Sequence, residues 1–228
     1  MESNFFQKVK RGIKEPSRIT LDSLLCSLSW RLPSWLFNYV RTYVLRSDNV
    51  KLFTRKTTSY FQKFATLDDA ELLQKAGICK KLLEERLEHG DRCYFVGLDN
   101  KVLSIIWGST GKRFVKFCGA ILDPGDDGVI MYGGFSDESV KLKGLFPLAY
   151  KALLQSFLDD GRKYYYAAVH ATNKHSYKMH QRMNFEQVGE SFHFVFFGIK
   201  LTYYKTWPHK TKKLHIFIKK FPDNLFWN

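Results

Sequence analysis

The sequence predicts a single α/β domain of the α+β type, its sheet mixed but mostly antiparallel, and three observations carry this. Residues 129–135 are an apolar run, 145–160 repeat Leu145, Leu148, Ala149, Ala152, Leu153 and Phe157 at helical spacing, and 163–170 form a run of aromatic and small apolar residues with no polar break. A strand, a crossover helix and a strand of these lengths make a parallel pair. Two other pairs read as antiparallel: 93–98 and 102–107 flank the turn Asp99-Asn100, and 192–197 and 199–204 meet near Gly198.

At 228 residues, with 45% hydrophobic and 25% charged side chains, the chain can bury a full core and carry extensions. The excess of 36 Lys+Arg over 22 Asp+Glu gives +14. Such a field attracts phosphates, whether on coenzyme A, nucleic acid or anionic lipid, and charge alone does not choose among them. Cys26, Cys79, Cys93 and Cys118 are too far apart for paired zinc spacing and too few for a disulfide framework, so reduced thiols are expected. The opening lacks the apolar core of a signal peptide, and no run approaches the roughly 18 uncharged residues of a membrane span. These features predict a cytoplasmic protein.

Taken in order, 1–50 differ from the rest: a basic opening, then an apolar-aromatic stretch interrupted by Arg31, Pro33, Arg41 and Arg46. This extension is expected outside the domain, either as a pair of helices packed on it or as an amphipathic element holding the protein peripherally on an anionic membrane or a partner. The domain is expected over 51–205, with 51–57 as its first strand. Asp68, Asp69 and Glu71 suit a helix start, and Ile78, Leu82, Leu83 and Leu87 follow at turn spacing before Gly90, so two short helices are expected. Residues 114–122 add a strand and 123–128 a loop. Pro147 suits the first turn of the 145–160 helix and Gly161 its end. From 206 to 228 basic residues interleave with Trp207, Phe217, Phe221, Phe226 and Trp227; this tail either covers the sheet or holds a phosphate-bearing partner.

The stretch Asn173-x-x-Ser176-x-x-x-His180-x-x-Met183-Asn184-Phe185, followed by Gln187-Val188-Gly189, resembles the signature of the Gcn5-related N-acetyltransferases (GNAT). In that signature Asn opens a helix and a Gly-Phe step closes it into the next strand; here Asn184 stands for the glycine. Lys141-x-x-Gly144-x-Phe146 meets part of the family's pyrophosphate loop: Gly144 matches, Lys141 is a basic substitute, and Phe146 stands where a small residue is usual. The likeness covers 51–205 as an order of elements and 139–189 as residues. It implies the GNAT acyl-CoA N-acyltransferase fold, with helices on both faces of the sheet and the central parallel strands splayed apart. Acetyl-coenzyme A would lie in the gap, its carbonyl bonded to the backbone of the earlier strand. The implied cofactor-binding residues are Tyr132, Gly133 and Phe135, then Lys141, Leu142, Lys143, Gly144, Leu145 and Phe146, then Asn173 and Ser176. A turn opening onto a helix aims free N–H groups and the positive end of the helix dipole at an anion. It can equally be an ordinary helix start, as Gly133 and Gly134 can mark a simple bulge instead of a ligand's approach.

On the helix after Asn173, Ser176, Met179, His180 and Met183 share a face, so His180 points inward. The resemblance puts it where the family often carries a tyrosine that protonates the departing thiolate. An imidazole can do the same near neutral pH, or it can be a hydrogen-bonded core residue. His170 and Glu138 are candidate bases expected to face the cleft. His170, His175 and His180 scatter around a helix and predict no metal site. Ser176 has a histidine one turn away but no orienting acid, so no nucleophilic pair is expected. The resemblance implies direct acetyl transfer to a primary amine: a small amine, an amino sugar or a peptide, held between walls such as Trp107, Tyr132, Tyr164 and Tyr166. A homodimer is admitted. The rival is a non-catalytic module of the same fold docking through its basic surface on anionic membrane or, second, nucleic acid.

Overall fold

The structure, a computed structural model, describes residues 21–51, 59–115, 119–140, 144–206 and the backbone of 212–217. Its centre is the expected strand, helix, strand unit: β7 (Gly128–Ser136), α4 (Leu145–Asp159) and β8 (Tyr164–His170). Ahead of it run α1 (Leu21–Arg31), β1 (Phe37–Ser47), β2 (Phe61–Phe64), α2 (Ala70–Gln74), α3 (Lys80–Glu88), β3 (Arg92–Leu98), β4 (Lys101–Ser109), β5 (Arg113–Val115) and β6 (Ala120–Leu122). After it come α5 (Lys174–Arg182), β9 (Glu186–Phe196), β10 (Ile199–Thr206) and β11 (Lys212–Phe217). Nine strands form one sheet in the order β11-β10-β9-β1-β8-β7-β4-β3-β2. Its parallel contact is β7 with β8, where Val129 stands opposite Tyr165 and Met131 opposite Ala167.

Alternation along the strands feeds two cores. Tyr94, Val96, Ile106, Val129 and Met131 face Leu145, Ala149, Leu153 and Phe157 of α4. Cys93, Phe95, Ile105 and Trp107 face the other way, onto Leu73 of α2 and Leu83 of α3. With period 2 every second side chain changes face, so strands apolar throughout are covered on both faces. The expected turns hold: Asp99 takes φ 52 between β3 and β4, and Phe197 and Gly198 take φ 48 and 78 between β9 and β10.

Two expectations are corrected. The strand expected over 114–122 is two short strands, β5 and β6, paired in a small separate sheet. Where a pair of helices is expected in the first 50 residues, the described ones, 21–50, form one helix and one strand, and that strand lies inside the sheet. β1 runs antiparallel to both β8 and β9, with Val44 opposite Ala168 on one side and Gly189 on the other. Its Val40, Thr42, Val44 and Leu45 are buried. Arg41, which interrupts the apolar run in sequence, pairs with Glu190 at 2.8 Å and covers the Phe192 ring at 5.1 Å, so its charge is matched on the sheet surface. The expected first strand, 51–57, lies almost wholly outside the described residues. Of the tail, 212–217 add the edge strand β11 against β10. Among the described residues no helix is long and apolar enough to cross a membrane.

Candidate functional site

The ladder between β7 and β8 ends where Met131 meets Ala167. Past that row β7 continues to Ser136 against β4 alone, and β8 to His170 against β1. The two parallel strands therefore part, and the edge of β7 from Tyr132 to Ser136 faces a gap. A bulge drives the parting: Trp107 stands opposite Tyr132 and Ile105 opposite Phe135, so Gly133 and Gly134 together oppose Ile106. Gly133 has φ 59, the left-handed conformation that bends a bulged strand and that glycine adopts without strain. A Cβ on Gly134 would lie 2.7 Å from the ring of Phe146, so the large residue in the loop is accommodated by a missing side chain on the strand. Phe135 is 41% exposed at the gap.

Gly144 caps α4 at φ 79, with no side chain bonded across the cap. Leu145 is buried, Phe146 half-buried, and Pro147 has no N–H to satisfy. Lys141, Leu142 and Lys143 lie outside the described residues. Glu138 is exposed on the short turn that follows β7.

On the far wall, Asn173 caps α5 by accepting from Ser176 N at 3.0 Å. The helix ends with Asn184 at φ 69; its N–H bonds Gln181 O, and that of Phe185 bonds His180 O at 2.9 Å. Asn184 thus takes the left-handed position that the resembled signature gives to glycine, one that asparagine tolerates. His180 is 5% exposed, its ring edge-on to Tyr150 at 5.6 Å and to Phe185 at 5.1 Å. Its Nδ1 lies 2.8 Å from Ser176 O and 3.4 Å from Ser176 Oγ. A carbonyl only accepts, so Nδ1 carries the proton and Nε2 of the neutral ring is an acceptor. Burial lowers the pKa of this imidazole, favouring the neutral form. Phe146 packs on Tyr150 at 5.9 Å, so a row of rings runs from Gly134 on one wall to His180 on the other.

His170 is half-buried, with Nδ1 accepting from Thr172 N at 3.2 Å and lying 2.7 Å from Thr172 Oγ1. Its Nε2 therefore carries the proton of the neutral ring and has no lone pair for a base; burial lowers its pKa too. Tyr164 and Tyr166, expected on the cleft walls, stand opposite Gly128 and Ile130, where the strands are still paired. Tyr132 sits at the parting, but its hydroxyl is turned to Asp91.

That bond belongs to a buried polar cluster the sequence did not reveal. α3 ends at Glu88, and the chain turns at Gly90, φ 77, where Gly90 N bonds Leu87 O and Asp91 N bonds Arg86 O, bringing Asp91 back beside Arg86. The Asp91 carboxylate, with no exposed surface, takes bonds from Arg113 and Tyr132. The Arg86 guanidinium lies 4.6 Å from the Trp107 ring centre and 5.4 Å from that of Tyr132. Burial and the Asp91 charge push the Tyr132 phenol well up, and burial lowers Arg86. Arg86 reads in sequence as one more solvated charge of a helix, and no local signal marks it.

No protein-family model matches the chain, and no curated protein matches it. Among solved structures it is similar to a protein from Novosphingobium aromaticivorans described as an acetyltransferase of the GNAT family, with TM-score 0.51 and 10% identity over 68% of this chain and 63% of that one. It is also similar to an N-acetyltransferase from Staphylococcus aureus, with TM-score 0.45 and 13% identity over 56% and 83% of the two chains. The first likeness shows a shared fold, and there the chain spans just under two thirds of its counterpart.

Proposed function

Because the chain has the fold of the Gcn5-related N-acetyltransferases, we propose that it moves an acetyl group from acetyl-coenzyme A to a primary amine by direct attack in a ternary complex. The observation that carries this reading is the parting of β7 from β8 beyond Met131 and Ala167, beside the start of α4, where the capping residue Gly144 brings no side chain to the first N–H groups. The thioester carbonyl would bond the freed edge of β7 at Tyr132, Gly133 and Phe135. The pyrophosphate would sit on the N–H groups of Gly144, Leu145 and Phe146, with Lys141, Leu142 and Lys143 adding donors and charge. Asn173 and Ser176 complete the far wall. The amine nitrogen attacks the carbonyl carbon, the C–S bond breaks, and the proton lost by nitrogen ends on the sulfur. Nε2 of His180, an acceptor as the protein stands, takes that proton first and then returns it to the thiolate. Glu138 remains a second base. The transferase unit, read as 51–205 from the resemblance, takes in β1 as well. No metal enters this reaction. Calorimetry with acetyl-coenzyme A and thiol release over a panel of small amines and amino sugars test it, and a folded protein that binds no acetyl-coenzyme A overturns it.

A second reading, non-catalytic docking on an anionic membrane, is favoured by the exposed Leu21, Leu24, Trp30 and Trp35 together with the +14 charge. Co-sedimentation with anionic and neutral vesicles tests it, and equal recovery with both removes it.

A further inference from the structure

The largest group of exposed apolar side chains lies at the end of the sheet toward which the gap opens. Thr42 of β1 stands opposite His170, the last residue of β8, and β1 begins five residues earlier at Phe37, opposite Phe196 of β9. At about 3.4 Å per residue, β1 and β9 reach about 17 Å past the end of β8. The gap edge of β7 points the same way, because β7 runs parallel to β8. At this projecting corner the turn between β9 and β10 is tied to the chain before β1: Phe197 N bonds Leu36 O at 3.0 Å and Gly198 N bonds Trp35 O at 2.6 Å. Trp30, Trp35, Phe196, Phe197 and Ile199 are 50–84% exposed, the two Phe rings edge-on at 4.6 Å. Leu21, Leu24 and Leu28, which share one face of α1, are exposed as well.

Exposed apolar side chains gathered in this way mark a contact. Their surroundings are positive: Arg31 and Lys174 are exposed, Lys200 is half-buried, and no Asp or Glu occurs in 24–47, 171–185 or 191–206, the segments that pass through this end. Rings and aliphatic side chains beside cations fit an anionic bilayer, where aromatic rings sit at headgroup depth and cations meet lipid phosphates. Two copies of the corner would set like charges against each other, and a projecting point makes a poor self-complementary face. Single-stranded nucleic acid would stack on the rings but leave Ile199 and the α1 leucines in water. We propose that this corner inserts into the headgroup region of an anionic bilayer and stands the sheet with its gap toward the membrane. The inference rests on the membrane reading of α1 and gives it a place and an orientation; docking and the gap then work together, and neither excludes the other.

The test is co-sedimentation of the full chain with vesicles of phosphatidylcholine alone and of phosphatidylcholine with phosphatidylserine. The parent is expected to follow the anionic vesicles and to be released by salt. Trp35→Ser combined with Phe197→Asn, a residue that tolerates the φ of 48 at the turn, should weaken that binding about tenfold or more at a melting temperature that reports folded protein. Leu158→Ser, which removes an exposed leucine near the end of α4 and so at the opposite end of the sheet, should bind as the parent does. Equal recovery of the parent with both kinds of vesicle removes the membrane reading and this surface with it. Anionic binding unchanged in the folded double variant keeps the membrane reading and overturns the surface. A dimer, or binding of a single-stranded oligonucleotide, that the double variant loses while its vesicle binding persists gives the corner to another occupant and overturns it too. Calorimetry with acetyl-coenzyme A on the same preparation separates docking from transfer. Vesicle binding without acetyl-coenzyme A binding sinks the transferase and keeps the surface; the reverse sinks the surface alone.

Discussion

The ring of Phe146 lies against Gly134, 2.7 Å from where a Cβ would stand, and so fastens the start of α4 to the freed edge of β7. The near atoms are the far end of the ring, which can swing. Gly134→Ala is therefore expected to cost less than about 1 kcal/mol of stability while turning Phe146 out of place and weakening acetyl-coenzyme A binding. Adding Phe146→Ala should recover affinity. Calorimetry and melting of the single and double variants check this, and an unaffected single variant detaches the contact from the site.

Gly144 carries two loads that substitution separates. Its φ of 79 strains any other side chain by about 1–2 kcal/mol, so Gly144→Ala and Gly144→Glu should lower the melting temperature alike. Only glutamate puts negative charge where the pyrophosphate is proposed to sit. Acetyl-coenzyme A affinity should then survive in the alanine variant and collapse in the glutamate one; equal affinities would remove the loop from phosphate binding.

For His180, proton exchange with the reacting atoms predicts that His180→Phe lowers turnover about 10²–10⁴-fold with acetyl-coenzyme A affinity nearly unchanged, and that His180→Tyr restores part of it. A purely structural ring predicts a fall in stability, with rate following the folded fraction. Melting temperature and turnover on one preparation distinguish the two.

His193 links the small sheet to the large one. Its Nδ1–H donates to Thr202 Oγ1 at 2.8 Å, and that hydroxyl donates to Gly119 O at 3.2 Å. Burial, then Lys200, lowers its pKa to about 4. In the unfolded chain the ring protonates near pH 6.5, so stability is full above that value and is lost as pH falls from 6.5 towards 4, by about 3 kcal/mol in all. Denaturation across that range should show the slope in the parent and a flatter one in His193→Gln.

Leu45 has no exposed surface and sits in the strand between β8 and β9. Leu45→Ala is expected to cost about 2–5 kcal/mol. A chain starting at residue 51 should lose cooperative melting; a stable, cooperative 51–228 fragment would show that β1 is dispensable.

What sequence could tell follows from how local each cause is. The parallel pair and α4 were readable because Leu145 to Phe157 keep helical spacing between two apolar runs, and the cap at Asn173 because its partner Ser176 is three residues away. β1 was not readable, since its burial comes from Ala168 and Gly189, more than a hundred residues on, and Arg41 breaks its apolar pattern where Glu190 later neutralises it. In sequence the side chain of Tyr132 reads as cleft wall, because nothing near it announces Asp91. The tautomers of His170 and His180 depend on neighbours at Thr172 and Ser176, close in sequence but decided by geometry alone.

The position of β1 also sets an order of assembly. A ribosome completes residues 37–47 early, yet the strands that flank them are among the last parts of the domain made. At about 5–20 residues per second, β1 waits on the order of ten seconds for β8 and longer for β9. During that interval the hairpin of β3 and β4, with α3, β7 and α4, can already close on local contacts, while β1 keeps both edges bare. The first of the described strands is thus enclosed only when β9 has been made, and nascent chains should acquire protease resistance around β3, β4 and α4 well before β1 does.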